Sequence, residues 1–236
     1  MDSSPAHNAS AWLLGLLLCW LCAVPAGARA VRGWLYDTFV AGLTAQWYRV
    51  VLDRLPDGAR MLDVGIGTGA ALARCAETVE RKDLHVVGLD IDPDYLQRCR
   101  RELARAGLAH RVKPLLQSVY DHAGGPYDAV YFSASLMLLP DPAGAIAHVA
   151  RLLAPGGRVY ATQTFHHRRS RLLEWGKPVL RHVTTIDFGH VTYEPEFRAA
   201  FAAAGVPLVE LSVIRGGRFQ SYRLAVAEPG ALARSA

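Results

Sequence analysis

Residues Leu62 to Gly69 read Leu-Asp-Val-Gly-Ile-Gly-Thr-Gly, preceded by Ala59, Arg60 and Met61 and followed by an alanine-rich stretch from Ala70 to Ala76. A short apolar strand that breaks into glycines at alternate positions (Gly65, Gly67, Gly69) and then into helix formers is a strand-turn-helix whose backbone comes close to a ligand. The stretch therefore predicts a nucleotide or cofactor site.

Two ligand chemistries fit this spacing. Gly65, Gly67 and Ala70 satisfy the dinucleotide pattern G-x-G-x-x-G/A, with the acid Asp90 further along. A dinucleotide sets an anionic pyrophosphate on helix N-terminal amides, where a carboxylate such as Asp63, two residues before the first glycine, repels it. A ligand with an ammonium, a sulfonium and no phosphate gains from that carboxylate, directly or through water. The run Asp63 to Gly69 resembles motif I, D/E-x-G-x-G-x-G, of the class I S-adenosylmethionine (SAM)-dependent methyltransferases. Leu152-Leu153-Ala154-Pro155-Gly156-Gly157 resembles that family's L-x-P-G-G-x turn.

The coarse pattern agrees with the resemblance. Leu84 to Asp90, Arg111 to Gln117, Tyr127 to Ser133 and Arg158 to Thr164 are apolar strand candidates alternating with helices, the first of which starts at Asp92-Pro93-Asp94. A helix around Glu194 to Ala204 precedes two strand candidates, Pro207 to Ile214 and Phe219 to Ala227, joined through Arg215-Gly216-Gly217. So short a turn joins antiparallel neighbours. The expected fold is α/β, a Rossmann-like doubly wound seven-stranded sheet, mostly parallel with the last strand antiparallel, over about residues 58 to 228.

The resemblance also implies roles. Asp63, Gly65, Gly67, Thr68 and Gly69 would hold SAM; Asp90 would take both ribose hydroxyls, because a carboxylate offers two acceptors to a vicinal diol; Ile91 would lie against the adenine. Ser118 falls where many family members place an acid for the adenine amino group, so Ser118, nearby Asp121 or the backbone would supply that contact. Ser133, closing the fourth strand, is the remaining cofactor-binding candidate.

At 236 residues and 51% apolar side chains the chain suits one domain plus an appendage. A net charge of +5 without dense Lys/Arg clusters interleaved with aromatics argues against a nucleic-acid partner. Cys19, Cys22, Cys75 and Cys99 have no metal-ligand or disulfide-framework spacing, so no metal is expected.

No charge falls between Asp2 and Arg29, and residues 11 to 24 are apolar throughout, so residues 1 to 30 are expected to leave water as a membrane anchor. Ala26-Gly27-Ala28 offers a cleavage site, and a secretory signal peptide is the alternative. Asp2 before the apolar run and Arg29 and Arg32 after it favour the anchor and place residues 31 to 236, the catalytic domain, in the cytosol. Gly33 to Leu55 has helical apolar spacing; its Tyr36, Trp47 and Tyr48 either cover the cofactor or pack on the sheet.

No N/D-P-P-Y/F motif and no Pro-Cys nucleophile follow the fourth strand, which disfavours adenine, glutamine-amide and cytosine methylation. With little appended recognition surface, the chain looks like methyltransferases of small molecules and lipids, acting at a membrane surface. An acceptor with a proton to lose needs a base: His166 and His190 are the principal candidates, beside His167, Asp187 and Tyr193. A SAM-binding protein without transferase activity is the alternative function, and an NAD-dependent oxidoreductase a more distant one. Residues 166 to 182 mix Arg168, Arg169, Arg171, Lys177 and Arg181 with Leu172, Leu173, Trp175, Val179 and Leu180, as suits a lipid headgroup interface.

Overall fold

In a computed structural model of the chain, the described residues are 42, 44–166, 192–217 and 220–230. The chain divides into two compact units, residues 1–42 and 43–236, and the fold described here belongs to the second. The expected anchor, Tyr36, and the basic segment from residue 167 to 182 lie outside the described residues. Among the described residues no helix is long and apolar enough to cross a membrane.

Seven strands form one sheet: β1 (Arg60–Val64), β2 (His85–Asp90), β3 (Val112–Leu116), β4 (Tyr127–Ser133), β5 (Leu153–His166), β6 (Leu208–Gly216) and β7 (Gln220–Ala227). Their order is β3-β2-β1-β4-β5-β7-β6. The first five pair in parallel, whereas β7 lies between β5 and β6 and is antiparallel to both. The expected sheet, with its last strand reversed, is therefore present. β5 begins at Leu153 rather than Arg158, because Pro155-Gly156-Gly157 stays within the strand as an irregularity in its register with β4.

Successive residues of these strands point to opposite faces, and both faces are apolar. Met61, Val86, Ala129, Tyr131 and Tyr160 face one core. Leu62, Leu89, Val130, Phe132 and Ala161 face the other. The first core is closed by α1 (residues 44–52) through Ala45, Tyr48, Val51 and Leu52, and by α4 (Pro93–Arg105) through Leu96, Cys99 and Leu103. The second is closed by α5 (Pro142–Ala150) and α6 (Glu194–Ala203), whose Ile146, Val149, Phe197 and Phe201 are buried.

Local chemistry starts and stops these helices. Asp92 caps α4 by accepting from the amides of Asp94 at 2.8 Å and Tyr95 at 3.1 Å, and Pro93 occupies the first turn. Asp141 and Pro142 repeat the arrangement at α5, Asp141 accepting from Gly144 at 2.9 Å. The alanine-rich stretch after the glycines is two short helices, α2 (Ala70–Ala73) and α3 (Ala76–Arg81), divided at Cys75, whose thiol turns towards the Ala45 carbonyl. Lys82, just beyond α3, is almost buried. Its ammonium donates to the carbonyls of Leu52 and Asp53 at 3.0 Å each, and to that of Leu55, and so closes the carboxyl end of α1.

Candidate cofactor site

The glycine turn runs from the carboxyl end of β1 into α2, across the end of β2. Gly65 and Ile66 donate their amides to the Leu89 carbonyl at 2.8 and 3.0 Å, which ties the turn to β2. Gly65, Gly67 and Gly69 all have positive φ, of 81°, 58° and 67°, where side chains other than hydrogen are strained. Gly65 is also held by contact: a Cβ there would lie 2.7 Å from that of Ser135, whose hydroxyl donates to the Val64 carbonyl. Above Gly67 nothing lies within 4 Å. The middle of the turn is thus open, backbone-lined space.

Two carboxylates flank it. Asp90 ends β2; its Oδ2 accepts from the Gly67 amide at 2.9 Å and its Oδ1 from the Asp92 amide at 2.9 Å. Each oxygen keeps further lone pairs. Asp90 therefore shapes the turn as well as offering acceptors beside it, a second role that spacing did not suggest. Asp63 is wholly buried. Its Oδ2 accepts from the Tyr48 hydroxyl at 2.6 Å, and its buried Oδ1 has no hydrogen-bond partner. Burial pushes the Asp63 carboxyl up to about 7; the Tyr48 hydrogen bond opposes the rise and the Asp90 charge adds to it.

The other expected residues are placed as follows. Thr68 is half-buried in the turn. Ile91 is 75% exposed directly after Asp90, and Leu116, which pairs with Asp90 in the β2–β3 register, is 58% exposed. Both are exposed apolar side chains near the ends of β2 and β3. The Ser118 hydroxyl accepts from the Tyr120 amide at 3.3 Å and caps a short turn, Val119–Asp121. Ser133 ends β4 and interacts with the buried Tyr131 hydroxyl. His166 ends β5, its amide donating to the Thr192 carbonyl at 3.1 Å. His167, Asp187 and His190 lie outside the described residues. Trp47 and Tyr48, read as cover or core, are core: both are buried, and Tyr48 packs edge-on against Tyr131 at 5.0 Å.

Several contributors were not singled out from sequence. Gly88, inside β2, makes room for Ile66, whose Cδ1 would collide with a Cβ at that position. An isolated glycine in an apolar strand is the signal for such an approach. Cys99 packs under the turn, its sulfur 2.7 Å from where a Gly69 Cβ would fall, and burial with the nearby Asp63 and Asp90 pushes its thiol up to about 12. Ser135 and Leu116 carried no motif. Two surface cavities, of about 390 Å³ beside His85 and Arg111 and about 420 Å³ beside Arg54 and Glu210, involve none of these residues. An open turn needs no enclosed cavity, and the strand ends are where ligands meet sheets of this kind. Among the described residues no cluster could hold a metal ion.

Comparison with known proteins bears on the same region. Residues 62–159 match a family described as a methyltransferase domain. Over 108 residues the chain is 38% identical to the aklanonic acid methyltransferase of Streptomyces sp. (strain C5), covering 44% of this chain and 48% of the relative. Over 113 residues it is 33% identical to the ubiquinone biosynthesis O-methyltransferase of Xylella fastidiosa (strain 9a5c), covering 46% and 44%. The chain thus spans less than half the length of either relative. Among solved structures, geranyl diphosphate methyltransferase in complex with SAM aligns with a TM-score of 0.63 at 14% identity, covering 88% of this chain and 92% of that one. The cyclase SpnF aligns with a TM-score of 0.63 at 18% identity, covering 80% and 81%. What the solved structures share with this chain is the fold.

Proposed function

We propose that this chain is a SAM-dependent methyltransferase acting on a small-molecule acceptor. The observation that carries the reading is the open space above Gly67, whose amide the Asp90 carboxylate holds at the end of β2, in a turn that follows the buried, half-unpaired Asp63 of β1. SAM, when bound, supplies an electrophilic methyl group on a sulfonium. The residues present fit its parts. Asp90 has free lone pairs for a vicinal diol, Ile91 and Leu116 offer exposed apolar side chains to a planar base, and the unpaired Asp63 Oδ1 suits an ammonium, directly or through one water. An anionic pyrophosphate would find two acids instead. His190 is the first candidate for accepting an acceptor proton, and His166, at the carboxyl end of β5, is the other. The relatives that act on aklanonic acid and in ubiquinone biosynthesis support a small apolar acceptor, and O-methylation is the chemistry we assign.

The apolar residues 1 to 30 and the basic, apolar run from 166 to 182 support a finer reading, an enzyme tethered to the cytosolic face of a membrane and drawing lipid-like acceptors from it. The likeness in fold to SpnF, a cyclase by name, favours one alternative: a SAM-binding protein that transfers no methyl group. Consumption of SAM by the purified chain offered a membrane extract separates these two.

Calorimetry tests the cofactor. Wild-type protein should bind SAM and not NAD; the reverse result overturns the proposal. Gly67→Val fills the open space and should abolish binding while the domain stays folded, its positive φ costing about 1 to 3 kcal/mol. Asp90→Ala removes ribose acceptors and frees the Gly67 amide, and should weaken binding by about 2 to 4 kcal/mol.

A further inference from the structure

The two oxygens of Asp63 are unequal. Oδ2 is fixed by the Tyr48 hydroxyl at 2.6 Å; Oδ1 is as deeply buried and has no partner. A buried charged acceptor left unpaired is costly, so a protein that keeps one gains when a ligand satisfies it. Among the described residues, the titratable groups that face Asp63 are Tyr48 from α1, Asp90 from β2, Cys99 from α4 and Tyr131 from β4, and none of these is a cation. Among the described residues no cation faces Asp63, so a ligand's positive charge would meet no competitor from them. Tyr48 is itself held firmly: its ring stands edge-on to Tyr131 at an interplanar angle of 89°, and α1 is closed at its end by Lys82.

Resting on the reading of a SAM site, we propose that Tyr48 is a positioning residue for cofactor recognition: it binds the Asp63 oxygen that the ligand does not use and presents the other to the ligand's ammonium group. Tyr48 touches Asp63 and not the cofactor. The hydroxyl also favours the charged form of Asp63, its hydrogen bond opposing the rise that burial causes and Asp90 adds to. An ammonium ligand binds the ionised carboxylate, so affinity should fall as pH drops through about 7, and deleting the hydroxyl should move that fall to higher pH.

Two probes separate this role from a merely structural one: S-adenosylhomocysteine, which carries the ammonium, and methylthioadenosine, which lacks the amino-acid part. Wild-type affinity for S-adenosylhomocysteine should drop about tenfold from pH 8 to pH 6, and that for methylthioadenosine should stay level. A hydrogen bond worth about one pKa unit then predicts that Tyr48→Phe loses a further fivefold or so for S-adenosylhomocysteine at about pH 7 and less than about twofold at pH 8.5. Methylthioadenosine binding should be unchanged. Asp63→Asn should abolish the pH dependence for S-adenosylhomocysteine. A Tyr48→Phe loss that is equal for both probes, or level with pH, overturns the proposal alone. Wild-type protein that binds neither probe overturns the cofactor reading as well.

Discussion

At the scale of single residues, Asp63 places site chemistry and stability in opposition. Its carboxyl sits at about 7 because it is buried, whereas the unfolded chain returns it to the ordinary range near 3.8. The folded state therefore holds the proton more tightly. The stability this group contributes is fully present below about pH 4 and is lost as pH rises through about 7. Three pKa units correspond to a few kcal/mol, on the order of 4. Asp63→Asn keeps an acceptor for Tyr48 and carries no charge, so the variant should melt at a higher temperature than wild type at pH 8 and at nearly the same temperature at pH 4.5. Thermal melts at the two values check this; a difference of the same size at both would show that charge burial is not its origin. The domain tolerates a costly acid where a cationic ligand would offset the cost.

At the scale of elements, α1 depends on a residue from outside it. The Lys82 ammonium is bonded to three carbonyls at the end of that helix, of Leu52, Asp53 and Leu55. Lys82→Met keeps the apolar stem and strands those acceptors, and should cost about 2 to 3 kcal/mol, lowering the melting temperature by roughly 5 to 10 °C. An unchanged melt would mean that water serves the carbonyls as well. Because α1 carries Tyr48, the same variant should weaken binding of ammonium-bearing ligands. Helical spacing in Gly33 to Leu55 announced a buried face and said nothing of what it meets. That Tyr48 meets Asp63 follows from folding α1 back over β1, a pairing 15 residues apart that no periodicity encodes. The sheet was legible for the opposite reason. Apolar runs of strand length alternate with capped helices, and the turn between β6 and β7 is too short for anything but a hairpin. The division of α2 from α3 was hidden because seven residues rich in alanine carry no signal for a break, although the Cys75 thiol beside it contacts both the Ala71 and the Ala45 carbonyls. Gly65, Gly67 and Gly69 were legible, since positive φ leaves its mark on composition. The partners that close on them, Ser135 and Cys99, are ordinary residues whose position only the fold supplies.

At the scale of the whole molecule, the membrane reading rests on residues 1 to 30 and 166 to 182, and it can be tested piecewise. Five basic residues against Glu174 give the second segment most of the chain's net charge of +5. Each basic group near an anionic leaflet is worth about 1 kcal/mol. In a chain shortened to residues 31–236, changing Arg168, Arg169 and Arg171 to Glu should abolish binding to anionic vesicles and spare SAM binding; unaltered vesicle binding would remove this segment from the reading. The sheet order has a separate consequence for how the protein is made. β7 lies between β5 and β6, so among the described strands β6 has no partner until β7, the last made, docks beside β5. Until β7 arrives, β5 exposes a row of unpaired amides and carbonyls on one side, and β6 exposes both of its edges. For that interval the nascent chain is a template for pairing with other chains, the state that chaperones shield. Closure of the sheet therefore waits on its last described strand, and a chain cut short between β6 and β7 would keep those edges open.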